Sequence, residues 1–291
     1  MYESVSLSDR PWGRMLRATG TADLRDLGFD PVTEALKEFG ALLFRGFETG
    51  PGGFAEFADQ FSDTTLDRLH GGQNRGEVAG DDKTSTVNLG KQLIGPHAEL
   101  AYSPRRPDLL WFHCARPSAS RGETTLFDGI EVLANLPDEL REAFGAKDLR
   151  YSFAGAGPDL WPLFTGETAD RSRTAGLLAG QDGVTQAPAD QDTIDITYAV
   201  SAARPSRYQG VPAFANSLIP TAERTVTFDD GTPIPPSIRL SVLRTCDRLM
   251  TPIEWQAGDV VMIDNSRMMH GRLPFEDASR EIHVRMTMAA F

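Results

Sequence analysis

The stretch WQAGDVVMIDNSRMMHGRLPF, residues 255–275, gives the strongest indication of the fold. An Ala-Gly-Asp turn signal precedes an apolar run at 260–263, which has the length and composition of a buried strand. His270 follows this run after a short polar segment. A histidine at the end of an apolar strand is well placed to face a cavity. His270 is therefore the first candidate for a functional residue.

Outward from this stretch, short strand-like runs predominate and helices are few. The predicted strands lie at 41–45, 84–89, 109–114, 124–128, 194–200, 213–216 and 282–288. The predicted helices lie at 31–39 (capped by Asp30), at 54–61, after Pro137 and after Pro236. This pattern indicates an all-β barrel or jelly roll with helices on the outside. A doubly wound α/β fold is disfavoured, because no G-x-G-x-x-G or Walker motif occurs.

The length of 291 residues suits one large domain or two small ones, and we predict a single domain over 1–291. Two segments interrupt the pattern. Residues 70–83 are Gly-rich and polar and are predicted to form a mobile loop. Residues 154–193 are rich in Gly, Ala, Asp and Thr, and a connection of that length is typical of a lid, a binding loop or disorder.

The composition is that of a globular protein with a strongly acidic balance. Hydrophobic residues make up 40%, charged residues 24%, and the net charge is −12. Such a charge argues against nucleic acid and anionic membranes as partners. Two cysteines form no disulfide framework, so a reducing, cytoplasmic location is expected. We expect no signal peptide and no membrane span.

The segment from Gly95 to Leu100 contains His97 and Glu99, two residues apart. On a strand this spacing would place an imidazole and a carboxylate on one face. One distant histidine would complete a set of two histidines and one carboxylate, which suits Fe(II) with open coordination positions. His-x-Glu is common by chance, so a hydrogen-bonded surface or core histidine remains an alternative.

The chain has five histidines, so the candidates for a third ligand are few. His70 lies in the polar loop, His113 lies inside an apolar strand and suits a core position, and His283 lies within the last strand. His270 is favoured by its position after the 260–263 run.

Four blocks in this order resemble the taurine dioxygenase/clavaminate synthase-like superfamily of Fe(II)/2-oxoglutarate-dependent oxygenases. They are GALLFRGF (40–47), HAELAY (97–102), GETTLFD (122–128) and the 255–275 stretch. The resemblance implies a double-stranded β-helix core (jelly roll, cupin-like) with flanking helices. It also implies Fe(II), 2-oxoglutarate and O₂ as cofactors, and His97, Glu99 and His270 as the iron ligands.

The same resemblance implies which residues bind 2-oxoglutarate. Thr124 matches the threonine that hydrogen-bonds its distal carboxylate, and an arginine in the last strand should pair with that carboxylate. Arg280 is favoured, and Arg285 would then meet an acidic group of the substrate; the reverse assignment stays open. Because the two arginines are five residues apart, a regular strand turns them to opposite faces.

The substrate is expected to be a small, carboxylate-bearing molecule, such as an amino acid or a natural-product intermediate, with a sulfonate or carboxylate nutrient as runner-up. Tyr102, Gln92, His70 and the 154–193 segment are the predicted contacts. Hydroxylation of an unactivated C–H bond is the expected reaction, and desaturation or cyclisation by the same site is the alternative. Glu99 argues against halogenation, since halogenating relatives have Gly or Ala there.

Two other classes compete with this interpretation. A non-catalytic jelly-roll sensor of small molecules would have a degraded ligand set. A zinc hydrolase would need three ligands and a general base for a zinc-bound water, and no H-E-x-x-H spacing occurs.

Overall fold

The computed structural model describes residues 1–50, 52–66 and 75–291. Its strands are β1 (Tyr2–Ser6), β2 (Arg14–Ala18), β3 (Ala41–Arg45), β4 (Ser62–Thr65), β5 (Glu77–Val78), β6 (Asp81–Thr86), β7 (Ile94–His97), β8 (Leu109–Arg116), β9 (Thr124–Asp128), β10 (Asp148–Ala156), β11 (Val184–Pro188), β12 (Ile194–Ser201), β13 (Arg204–Pro205), β14 (Pro212–Ala213), β15 (Thr225–Phe228), β16 (Thr251–Ile253), β17 (Val260–Asp264), β18 (Met268–Arg272) and β19 (Glu281–Ala289). Its helices are a short 3-10 helix (Leu24–Asp26), α1 (Phe29–Phe39), α2 (Gly53–Gln60), α3 (Gly129–Asn135), α4 (Asp138–Ala146), α5 (Pro162–Thr165), α6 (Arg171–Leu178) and α7 (Pro236–Leu249).

Two sheets carry the functional residues. The larger has the order β1-β2-β3-β17-β8-β19-β6-β5, and β4 also pairs with β19. The smaller has the order β16-β9-β18-β7. A third sheet, β11-β12-β10-β15, and the pair β13-β14 complete the strands. The prediction of a mainly β protein with flanking helices is confirmed.

The strands at the centre of the larger sheet are buried on both faces. Along β17, Val261 and Ile263 contribute to the apolar core that includes β9 and β18, whereas Val260 and Met262 pack in a second core with α1 and α2. This two-residue alternation is the normal side-chain period of a strand. Because both faces are covered by apolar residues, the run at 260–263 is continuous in the sequence rather than alternating.

Helix α1 ends where the sequence predicts and begins two residues earlier. Gly40 closes it in the left-handed conformation (φ 74°), which glycine adopts without steric cost. The predicted cap Asp30 is wrong, because Gly28 occupies the N-cap and Asp30 lies within the first turn. Pro31 is tolerated there because the first-turn N–H groups have no intrahelical acceptors.

The segment at 154–193 is more regular than its composition indicates. It contains the end of β10, helices α5 and α6, and β11, which forms an antiparallel pair with β12. Helix α6 begins at the cap Asp170, whose side chain accepts a hydrogen bond from the backbone N–H of Arg173. The structure therefore contradicts disorder in this segment, whereas the predicted lid or binding loop stays a prediction.

The boundaries of the other predicted strands differ by a few residues. The run at 124–128 coincides with β9, and the run at 84–89 ends earlier, at Thr86. The run at 213–216 contributes only Ala213 to β14. In the described part of the chain, no helix has the length and apolar character needed to cross a bilayer.

Candidate active site

His97 is the last residue of β7, and its ring is oriented by its own strand. Its Nδ1 lies 3.0 Å from the Gly95 carbonyl oxygen, which can only accept, so Nδ1 carries the proton. The lone pair of this imidazole is therefore on Nε2. The Nε2 atom lies 4.0 Å from Oε2 of Glu99.

Glu99 lies in the turn after β7, and not on the strand as its spacing from His97 predicts. Asn265, directly after β17, fixes the backbone of this turn. Its Oδ1 accepts from the Glu99 N–H at 2.9 Å, and its Nδ2 donates to the carbonyls of Glu99 and Pro107, both at 2.9 Å. All three groups are buried, so each bond also satisfies a polar atom that water cannot reach.

His270 lies in the middle of β18, directly opposite His97 in the pairing with β7. Its Nε2 is 3.8 Å from Glu99 Oε2, and the two imidazole ring centroids are 4.2 Å apart. Burial, followed by the nearby His97 and Arg75, lowers the pKa of His270 well below its usual value. The ring is therefore neutral at physiological pH, as a metal ligand must be.

These three residues form a set that fits a metal ion. One ligand atom from each lies within 4.8 Å of the others, the only such group in the part of the chain that the structure describes. The Nδ1 of His270 is buried without a hydrogen-bond partner, and its Nε2 is too far from Glu99 for a hydrogen bond. Atoms 3.8–4.0 Å apart can both lie about 2 Å from one ion, which would give the Nε2 atoms of the two imidazoles and the Glu99 carboxylate a partner.

The set opens into a cavity of about 550 Å³, with both predicted 2-oxoglutarate residues on its wall. Thr124 Oγ1 accepts from Trp255 Nε1 at 3.2 Å. Arg280 Nε donates to the Gly122 carbonyl at 2.9 Å, while its buried Nη2 has no partner. Burial, with a contribution from Arg272, lowers the pKa of Arg280 to about 10, so its guanidinium stays charged at neutral pH.

The predicted substrate role of Arg285 is wrong. Arg285 faces away from the cavity, and its guanidinium pairs with Asp59 at 2.8 Å and Asp81 at 2.9 Å. It also donates to Thr84 Oγ1 at 2.9 Å. Val284 lines the cavity instead, since adjacent residues of β19 point to opposite faces.

The remaining predicted substrate contacts differ in whether they line the cavity. Tyr102 lines the cavity. The prediction that the Gln92 side chain contacts the substrate is wrong, because this residue is exposed and does not line the cavity. Its backbone carbonyl accepts a hydrogen bond from Arg272 at 2.9 Å. His70 lies outside the described residues. Of the 154–193 segment, Leu160 and Leu163 reach the cavity wall, and its action as a lid stays a prediction.

The sequence predicts no site role for three arginines of the cavity wall, Arg75, Arg224 and Arg272. Arg75 donates to Glu99 Oε2 at 3.2 Å, and Arg224 lies with its guanidinium carbon 4.0 Å from the Tyr102 ring centroid. Arg75 lies in the polar loop predicted at 70–83, and Arg224 lies in a segment without a recognisable motif. No local signal marks such residues, because only the fold brings them to the cavity.

Comparisons with known proteins agree with this geometry. The family described as "Taurine catabolism dioxygenase TauD, TfdA family" matches residues 8–287. The chain is 24% identical over 287 residues to the dapdiamide synthesis protein DdaC of Enterobacter agglomerans, covering 88% of this chain and 86% of that protein. It is 25% identical over 270 residues to a clavaminate synthase-like protein of Arabidopsis thaliana, covering 84% and 81%.

Solved structures show the same fold at low identity. A taurine dioxygenase from Burkholderia xenovorans superimposes with a TM-score of 0.65 at 16% identity, covering 99% of this chain and 89% of that one. PvcB of Pseudomonas aeruginosa gives a TM-score of 0.62 at 15% identity, covering 99% and 92%. The predicted jelly-roll class is confirmed by these neighbours.

Proposed function

The chain belongs to the taurine catabolism dioxygenase TauD, TfdA family, and we propose that it is an Fe(II)- and 2-oxoglutarate-dependent dioxygenase that hydroxylates an unactivated C–H bond of a small molecule. In the proposed reaction, O₂ oxidises both partners. 2-Oxoglutarate becomes succinate and CO₂ with one oxygen atom, and the C–H bond becomes C–OH with the other. PvcB is described as an Fe, alpha-ketoglutarate dependent oxygenase, which supports the choice of cofactors.

The observation that carries the proposal is the set of His97, Glu99 and His270, which opens into the cavity. Two imidazoles and one carboxylate on one side of an ion leave the other side open for a co-substrate and O₂. In this assignment the protein holds Fe(II) with these three side chains. The bound iron would supply the activation of O₂ and the removal of the substrate hydrogen atom.

The protein's own residues bind and orient the co-substrate. We assign the distal carboxylate of 2-oxoglutarate to Arg280, whose unpaired Nη2 would donate to it, and to the hydroxyl of Thr124. The hydroxyl of Thr124 already accepts from Trp255, so its proton is free for donation to the carboxylate. Apolar neighbours Phe112 and Val284 limit water on this wall of the cavity.

The names of relatives support a biosynthetic intermediate as the substrate. DdaC is named for dapdiamide synthesis, and PvcB is described as part of an isonitrile synthetic pathway. We propose that this chain likewise oxidises an intermediate of small-molecule biosynthesis. Desaturation or cyclisation would need only a different pose of the substrate before the same metal centre.

Succinate release tests the proposal. The protein is incubated in air with Fe(II), 2-oxoglutarate and a library of amino acids and small acids. We expect library members that trigger succinate formation in the wild type and not in His270→Ala. His283→Ala is the matched control, because His283 lies on β19 outside the cavity lining, where it pairs with Glu281 at 2.8 Å. Equal succinate formation by His270→Ala would contradict the proposal.

A further inference from the structure

The wall of the active-site cavity carries more positive charge than the proposed cofactors can balance. Four arginines line it, against two glutamates, one of which is the proposed metal ligand. The lining arginines are Arg75, Arg224, Arg272 and Arg280, and the glutamates are Glu99 and Glu223. A dication, Glu99, Arg280 and the 2-oxoglutarate dianion together sum to zero. The other three guanidinium groups then face only the exposed Glu223.

Arg272 and Arg75 are engaged near the metal end of the cavity. Arg272 donates to the carbonyls of Asn88 at 2.6 Å and Gln92 at 2.9 Å, so it braces the chain before β7. Arg75 lies beside Glu99, with its Nε and Nη1 buried and unpaired. Neither arginine has an acidic partner beyond the proposed metal ligand in the described residues.

Arg224 also lines the cavity, and its guanidinium is held in place by stacking and hydrogen bonds. It is 6% exposed, its guanidinium carbon stacks 4.0 Å from the Tyr102 ring centroid, and its Nη2 donates to Ser217 Oγ at 3.1 Å and to the Ile219 carbonyl at 3.0 Å. Its buried Nε has no partner. In the ranges that the structure describes, no carboxylate pairs with Arg224. A fixed, charged and unneutralised guanidinium is a preformed site for an anion.

The cavity that Arg224 lines has both apolar and polar residues. Its apolar side chains include Phe153, whose ring packs against Tyr102, and also Leu160, Leu163 and Ile219, whereas Ser217, Thr221 and Glu223 are polar lining residues close to Arg224 in the sequence. A ligand that binds Arg224 and also contacts these apolar side chains would combine an anionic group with an apolar body. Such pockets typically combine an apolar lining with a few fixed polar groups that orient the ligand.

We propose that Arg224, stacked on Tyr102, is the substrate anchor, and that the substrate is a carboxylate with an apolar body. This inference rests on the proposed oxygenase function and names the substrate class of that site. The carboxylate lies against Arg224, and the apolar body extends from it through the cavity toward His97 and His270. Arg224 acts by binding and positioning the substrate, the role that the sequence assigned to Arg285.

The test uses matched pairs of ligands in calorimetric titrations. The anaerobic protein, saturated with Fe(II) and 2-oxoglutarate so that the Arg280 site is filled, is titrated with straight-chain and phenyl-substituted alkanoates of increasing length and with their primary amides. We expect acids to bind at least about tenfold more tightly than the matching amides, the factor equivalent to about 1.4 kcal/mol. Arg224→Gln should abolish this preference.

Two further variants keep the test decisive. Arg224→Lys retains the charge and should retain a preference for acids, which a merely structural role would not produce. Arg239→Gln is the matched control, because Arg239 also carries a buried unpaired Nε but lies outside this cavity. It should leave the preference unchanged.

Three results would overturn the proposal: amides that bind as tightly as acids, an acid preference that survives in Arg224→Gln, or no acid that binds. The visible absorption of the Fe(II)–2-oxoglutarate chelate separates this failure from failure of the proposed function. If the chelate forms normally, only the assignment of Arg224 is wrong. If the wild type forms no chelate, the oxygenase proposal itself is wrong.

Discussion

At the residue scale, Asn265 is the link between the core and the proposed metal ligands. Its amide makes three buried hydrogen bonds, two of them to the backbone of Glu99 and one to the carbonyl of Pro107. These bonds, together with the bond from the Ala98 N–H to the Asn216 carbonyl at 2.9 Å, hold the turn that carries Glu99 relative to His97 and His270. Asn265 thus positions a ligand without touching the metal.

We predict that Asn265→Ala weakens metal binding. Loss of groups that orient metal ligands typically costs about 10–100-fold in metal affinity. Anaerobic titration with Fe(II) or Co(II) measures the change. Asn135→Ala is the control, because the exposed side chain of Asn135 bonds only within α3, to the Glu131 carbonyl. An unchanged affinity in Asn265→Ala would show that the turn holds Glu99 unaided.

Single residues also show which parts of the site can be predicted from the sequence. The spacing of His97 and Glu99 alone leaves a chance match open, whereas the resemblance of four sequence blocks to one family implies His97, Glu99 and His270 as ligands, and the structure brings these three together. Arg75 and Arg224 could not be selected, because an arginine in a polar segment looks the same whether it faces solvent or a cavity. Their positions depend on the packing of segments distant in sequence.

At the scale of elements, β19 separates two arginines with different roles. Arg280 precedes the strand and lines the cavity, whereas Arg285 is buried on the other side in ion pairs that join β19 to α2 and β6. The odd spacing of the two arginines correctly predicts that they point to opposite sides. It could not show which face is the cavity, since Asp59 and Asp81 come from distant elements.

The same substitution at the two positions should have opposite effects. Arg280→Met should raise the dissociation constant of 2-oxoglutarate about tenfold to a hundredfold, because a charge-assisted bond is lost, and leave stability nearly unchanged. Arg285→Met should lower the free energy of unfolding by about 1–3 kcal/mol, because two carboxylates lose their partner, and leave 2-oxoglutarate affinity unchanged. Calorimetry and urea unfolding measure the two quantities. Weaker 2-oxoglutarate binding in Arg285→Met would reverse the assignment.

The pairing of β18 with β7 explains why glycine follows His270. A Cβ at Gly271 would lie 2.6 Å from the Ile94 carbonyl oxygen and 2.9 Å from Thr125 Oγ1. The two strands could then keep their spacing only with a backbone shift. Because β7 carries His97 and β18 carries His270, such a shift changes the distance between the two imidazoles.

We predict that Gly271→Ala lowers both stability and metal affinity, with a cost of about 1–3 kcal/mol in unfolding free energy, as is typical of overpacking. Urea unfolding and a metal titration measure the two effects. Gly145→Ala in α4 is the control, since a Cβ there would meet no atom within 4 Å. Wild-type metal affinity in Gly271→Ala would mean that the strands have room to separate.

Elements with strong patterns were predicted well, and weakly patterned ones were not. The β17 run is recognisable because burial on both faces makes it continuously apolar. Helix α6 has only two buried residues, Thr174 and Leu178, so its sequence has little periodicity and does not indicate a helix. Its structure comes from tertiary contacts with β11 and α5.

At the scale of the whole molecule, the acidic surface and the basic cavity have opposite character. The chain carries a net charge of −12, yet arginines outnumber carboxylates on the cavity wall. Net charge therefore says little about the ligand, because surface charges are screened by salt over roughly 10 Å. In this proposal, the arginines on the cavity wall near the metal site select an anionic co-substrate and an anionic substrate.

An anaerobic spectroscopic titration of the wild type with Fe(II) and 2-oxoglutarate tests whether His97, Glu99 and His270 form an iron site. We predict a visible charge-transfer band near roughly 500 nm, which such chelates typically show, without any need for the substrate. The band should be absent in His270→Ala and present in His283→Ala. A wild type without the band, or a His270→Ala variant that retains it in full, would contradict the assignment of His97, Glu99 and His270 as the iron site.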